Sequence, residues 1–159
     1  MWYIINVMSK FLVISLAKEF GDQVAKNVAD KLNLKYLNID KYVQYSIAEP
    51  EKMLEKCGKE YYYQQVVKHL EVAIGFEDTL FFCGYSTFMK NQPYFFDFQK
   101  IYLGLSLRQL QKLDEKDKII NKIAFPDRHR FLSKNAKKVK SRELNVEAFA
   151  NLVIKEANK

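Results

Sequence analysis

The chain has 159 residues, enough for one domain with a real core and too few for two ordinary ones. A hydrophobic fraction of 48% with 14% aromatic residues excludes a disordered chain, and five glycines and three prolines leave little room for long linkers. The formal net charge of +7 favours anionic partners (nucleic acid, phosphates, acidic membranes) without choosing among them, and surface lysines on an ordinary globule give the same balance.

Residues 1–8 are apolar but lack a basic leader and a small-residue cleavage site, and Lys10 and Lys18 interrupt the stretch before membrane-spanning length. They read as an N-terminal extension, with no membrane association expected. Phe11-Leu12-Val13-Ile14 predicts the first strand. Val24, Ala25, Val28, Ala29 and Leu32 then recur at helical spacing, and Asn33 closes that helix. Between the two lies Ser15-Leu16-Ala17-Lys18-Glu19-Phe20-Gly21-Asp22-Gln23, in the context that a phosphate-binding loop requires. Such a loop needs glycines for close backbone approach, a lysine for the phosphates and a hydroxyl for magnesium. Here Phe20 is bulky, Gly21 stands at the lysine position and Asp22 at the hydroxyl position, while Lys18 is a candidate substitute ammonium.

Leu34 to Asn38 predicts a second strand, and Asp40 follows it, where ligands of open α/β sheets gather. Asp40 is equally a candidate cap of the next helix. A helical stretch runs from about Lys41 towards Cys57, broken near Pro50; Gly58 begins another, with Tyr62, Val66, Leu70 and Ala73 on one face, which Gly75 ends. Thr79-Leu80-Phe81-Phe82-Cys83 predicts a buried parallel strand, and Gly84 a tight turn after it. Lys100 to Leu103 predicts the fourth strand, and Ser106 caps a helix carrying Leu107, Leu110 and Leu113. Residues 114–126 look charged and irregular; a helix over 127–137, a short strand over 138–140 and a last helix from Val146 follow, the last with Phe149, Ala150, Leu152 and Val153 inwards.

Strands alternating with helices in this way predict a single three-layer α/β/α domain with a parallel sheet of about five strands and right-handed crossovers. Cys57 and Cys83 have no metal-site spacing, so a reduced, cytoplasmic setting is expected without a metal site. His69 and His129 have no evident nucleophile partner, and Tyr61-Tyr62-Tyr63 and Tyr94-Phe95-Phe96 read as core and rim packing.

From Lys10 onwards the chain resembles the shikimate kinases, a P-loop family related to the nucleoside-monophosphate kinases. Residues 11–40 lie against the family's opening strand-loop-helix-strand unit without a gap. The resemblance implies that Asp40 is the second aspartate of a D-x-D pair, which holds substrate hydroxyls, with Asn38 in place of the first, which assists magnesium. Gly58-Lys59-Glu60-Tyr61-Tyr62-Tyr63 resembles G-E-x-x-F-R, placing Tyr63 at a carboxylate-binding arginine. Cys83-Gly84-Tyr85-Ser86 falls on a T-G-G-G turn, and Arg128-His129-Arg130-Phe131-Leu132 is similar to R-x-x-L-Y, which makes Arg128 the second carboxylate-binding arginine. The plainer reading of Arg128 is a pairing with Asp127 or a neighbouring helix. A shortened lid is implied over about 114–127.

With loop, magnesium and lid groups altered together, the expectation is a shikimate-kinase-like protein without ATP chemistry, needing no cofactor and binding a protein partner or small anionic ligand. An active shikimate kinase using ATP and magnesium through an unorthodox loop is the alternative. A further alternative is nucleic-acid or anion binding through Arg128, Arg130, Lys134, Lys137, Lys138, Lys140 and Arg142, a run that no acid interrupts.

Overall fold

All residues from Phe11 to Ala17 are buried, which places the first strand in the middle of a sheet covered on both faces. The computed structural model describes residues 10–113 and 118–159, with the backbone alone at 118–121. The expected extension over residues 1–8 lies outside the described residues, as do 114–117 of the expected lid.

Five parallel strands, β1 (Lys10–Ser15), β2 (Lys35–Asn38), β3 (Thr79–Gly84), β4 (Phe98–Leu103) and β5 (Lys137–Val139), lie in the order β2-β3-β1-β4-β5. Val13 stands beside Phe82 on β3 and Ile101 on β4, at the centre of the sheet. The helices are α1 (Lys18–Lys31), α2 (Ile39–Ser46), α3 (Pro50–Ile74), α4 (Tyr85–Lys90), α5 (Leu107–Lys112), α6 (Lys118–Asn135) and α7 (Val146–Ala157). A short 3-10 turn, Gln92–Phe95, leads into β4. The chain moves from β1 towards one edge and later returns past β1 to the other. Right-handed crossovers therefore put α1 on one face and the connections β2-to-β3, β3-to-β4 and β4-to-β5 on the opposite face. The last helix, α7, comes back to α1, where the Phe20 and Phe149 rings meet edge to face at 5.5 Å.

Val24, Ala25, Val28 and Ala29 of α1 are all buried, as their spacing predicts, and Asn33 adopts the left-handed conformation that ends the helix. At Gly58, α3 is broken by a residue with φ 83°, so the expected helix start there is a kink in a longer helical stretch. Ser106 caps α5 with its hydroxyl on the Gln109 amide, while the Gln109 side chain returns to the Ser106 amide.

Two boundaries differ from expectation. Residues 118–126 are helical rather than irregular, and α6 runs through Pro126. A proline there removes one intrahelical bond, yet Phe125 and His129 stack across it at 4.9 Å and hold the two sides in line. At the other end α6 stops at Asn135, because Lys137 already pairs beside Ile101; the strand is 137–139 rather than 138–140. Leu152, expected to face inwards, is half-buried and packs against the core. Phe95 joins the core but Phe96 is 87% exposed. Among the described residues no helix is long and apolar enough to cross a membrane.

Of the five glycines, Gly21 leaves the least room for a side chain. A Cβ there would lie 2.5 Å from Ser15 Cβ and 2.6 Å from the Phe82 ring. Gly21→Ala should therefore destabilise the protein by about 1–3 kcal/mol, because neither the strand nor the ring can retreat. Urea denaturation of the variant beside the parent checks this.

Candidate functional site

A parallel sheet delivers all its strand ends to one edge, so Ser15, Asn38, Gly84 and Leu103 lie along a common rim. At its centre the chain passes from β1 to α1 through only Leu16 and Ala17. The buried Ser15 hydroxyl accepts from the Ala17 amide at 3.0 Å and donates to the Ala17 carbonyl at 2.9 Å. That carbonyl also accepts from the Gly21 amide at 2.8 Å, so the helical ladder is already running by residue 21. Lys18 is exposed, and its stem crosses Gly84: a Cβ on Gly84 would lie 3.0 Å from Lys18 Cε.

Asp22 faces inwards to β2. It accepts from the Tyr36 hydroxyl, from Asn38 Nδ2 at 2.9 Å and from Lys41 Nζ at 3.2 Å. Burial pushes its carboxyl up, but these three donors outweigh burial and hold it below the usual carboxylate range. Asn38 meanwhile caps α2 through Lys41 N, at 3.1 Å.

Asp40 is a cap, although not of its own helix. Its carboxylate accepts from the Gly84 amide at 2.8 Å and from the Thr87 hydroxyl, which clasps the start of α4 to the end of β2. Gly84 has φ −83° and ψ 179°, ordinary extended backbone. The expected tight turn thus gives way to a different requirement: a side chain at 84 would crowd Asp40 Oδ2 at 3.1 Å as well as Lys18. Cys83 is fully buried, and burial, then the Asp40 charge, pushes its thiol well up.

The short helix α4 touches the remaining candidate residues. The Arg128 guanidinium lies 4.8 Å from the centre of the Tyr85 ring, so Arg128 meets the neighbouring helix through an aromatic face. Tyr63 is half-exposed, with Lys90 Nζ 5.7 Å from its ring centre. Asp40, Gly84, Arg128 and Tyr63 are therefore all attached to α4.

The basic run does not form one face. Arg130 and Lys134 are exposed on α6 and Lys137 on β5, whereas Lys140 and Arg142 line a cleft of about 830 Å³ on the β4–β5 side of the rim. Arg108 and Lys112 of α5 line the same cleft, and sequence reasoning passed over both. Their spacing of four residues on the helix that follows β4 was the available signal. Lys138 is not among the lining residues, but its stem lies over Gly104, which does line the cleft: a Cβ there would meet Lys138 Cγ at 2.6 Å. His129 also lines the cleft and is bonded through Nδ1 to the Tyr102 hydroxyl at 2.9 Å. Burial, then Lys138 and Lys140, lower its pKa below 6.5, and burial raises that of Tyr102. The lowered pKa favours the neutral imidazole, and the bond to Tyr102 suits either tautomer, with Nδ1 accepting from the hydroxyl or donating to it. Among the described residues, no three His, Cys, Asp or Glu side chains come together as a metal site.

No family model matches the chain, and no curated protein matches its sequence. Solved structures do. The chain is similar to a shikimate kinase from Aquifex aeolicus vf5, at 18% identity and TM-score 0.66, over 95% of this chain and 98% of that one. For a shikimate kinase from Bacteroides thetaiotaomicron the values are 16%, 0.69, 93% and 97%. For one from Acinetobacter baumannii in complex with shikimate they are 15%, 0.65, 94% and 93%. The fold is that of these shikimate kinases.

Two outcomes follow from this geometry. Asp40→Ala should cost about 1–3 kcal/mol, since it strands the Gly84 amide, whereas a purely ligand-binding aspartate would leave thermal stability unchanged or raised. Proton NMR should show His129 titrating below 6.5. Because the folded protein disfavours its protonation, the stability it contributes is present above 6.5 and is lost as pH falls below that value.

Proposed function

We propose that this is a shikimate-kinase-like protein that has lost ATP binding and phosphotransfer and persists as a binding module for a small anionic ligand or a protein partner. The turn from Ser15 to Lys18 carries this reading. A phosphate cradle needs several backbone amides converging on open space. Here the Ser15 hydroxyl takes the Ala17 amide, and Gly21 is spent on packing against Ser15 and Phe82. ATP and magnesium fit these residues poorly. Asp22 stands where a hydroxyl is needed and is tied to Tyr36, Asn38 and Lys41. Asp40, the candidate substrate aspartate, has both oxygens engaged by Gly84 and Thr87.

One observation favours the second reading, a working kinase with an unorthodox loop. Lys18 brings an ammonium to the rim beside Gly84 and Asp40, and a lysine can serve phosphates as a flexible point charge.

Calorimetric titration with ATP and magnesium should give no binding heat at micromolar concentrations, and a coupled ADP-release assay with shikimate no turnover. Turnover that disappears in both Lys18→Ala and Arg128→Ala would establish the kinase reading instead.

A further inference from the structure

The cleft on the β4–β5 side has an electrostatic peculiarity that the proposed loss of ATP chemistry does not use. Arg108, Lys112, Lys140 and Arg142 converge on it, and among the described residues no carboxylate lines it. Lys140 also disfavours the protonated forms of both Lys138 and His129, behind the burial that lowers each. Like charges this close repel, and the repulsion is relieved by an anion.

The size and extent of the surface favour a linear polyanion. A second cleft of about 460 Å³ lies beyond Lys140, Ser141 and Arg142, which line both. These residues form a ridge between two hollows, and Lys155 continues the positive charge on the far side; Glu143 is the one acid there. A single compact phosphate group occupies only part of either hollow, while a chain of phosphates crosses the ridge and uses both. The wall of the larger cleft also carries the Phe125–His129 pair, stacked at 4.9 Å with 22° between planes. A basic groove bearing flat rings is the combination that single-stranded nucleic acid uses: cations along the backbone, unsaturated surfaces for bases.

We propose that this cleft binds single-stranded nucleic acid, with Arg108, Lys112, Lys140 and Arg142 on successive phosphates. The site differs from the exposed helix face that the basic run by itself suggests. Arg130 and Lys134 lie outside it, and Arg108 and Lys112 within it.

The test is fluorescence anisotropy with a labelled 15-nucleotide oligo-uridine, on the full chain, from low salt upwards. Four phosphate contacts predict a slope of log affinity against log salt of about −3, since each contributes about −0.7 for single strands. Removing two contacts, in Arg108→Ala/Lys112→Ala or in Lys140→Ala/Arg142→Ala, should halve that slope and weaken binding on the order of 25-fold near 0.1 M salt. All four side chains are on the surface of the cleft, and circular dichroism checks that each double variant keeps its fold. Arg130→Ala/Lys134→Ala removes the same charge outside the cleft and should weaken binding clearly less. The proposal is overturned by absent binding at low salt, or by equal losses in all three variants. Tripolyphosphate binding the cleft as tightly as the oligonucleotide would also overturn it and assign the cleft to a small phosphate ligand.

Discussion

The seating of α1 on the sheet at Gly21 governs what the rim of this fold can do. With only a hydrogen at that position, the helix backbone comes down onto Ser15 and the Phe82 ring. A helix so close to its strand needs almost no chain to reach it, and Leu16 and Ala17 suffice, both buried. A phosphate loop makes the contrary demand: a longer excursion whose amides surround an empty space. Close packing and a cradle compete for the same backbone, and burial of Leu16, Ala17 and Phe20 is favourable on the usual scale of about 1.5–3 kcal/mol for a large side chain. This competition is the physical basis of the proposed loss of phosphotransfer.

Once α1 is down, the β2–β3–β1 part of the rim satisfies itself. Asp22 and Asp40 both accept from nearby donors: Tyr36, Asn38 and Lys41 for the first, Gly84 and Thr87 for the second. The side chains that would meet a substrate in an open pocket here hold strands and helices together. Polar groups committed in this way rigidify a structure, and freeing them for a ligand means leaving a buried partner unmet.

Periodicity made the framework legible. Strand runs of uniform hydrophobicity and the 24-25-28-29 stripe of α1 depend on local sequence alone, and all proved sound. What sequence could not convey was partnership across the fold. Asp40 looked like the cap of the helix it begins, yet its donors are 44 and 47 residues away. Gly84 looked like a turn residue, and its real constraint is the Lys18 stem from another strand's end. Pro126 closes a stretch that reads as irregular in sequence, whereas the helix runs through it with Phe125 stacked on His129. Arg108 and Lys112 carry only the signal of their four-residue spacing; they matter because the loop after β5 returns beside them.

The helix α6 decides how the basic run is shared out, and its own position is set by the core. An unbroken series of ring contacts leads to it from the sheet: Phe81 to Phe98, Phe98 to Phe95, Phe95 to Phe88 and Phe88 to Phe131, with centres 5.3–6.1 Å apart. With Phe131 held on α4 and Leu132 fully buried, the rotation of α6 about its axis is fixed. Arg128 then falls over Tyr85, His129 turns to Tyr102, and Arg130 faces solvent. Residues adjacent in sequence thus serve three different surfaces. The charge becomes concave where α5 stands opposite the chain leaving β5, which is why a run of cations that looks uniform in sequence yields a basic cleft rather than a basic helix face.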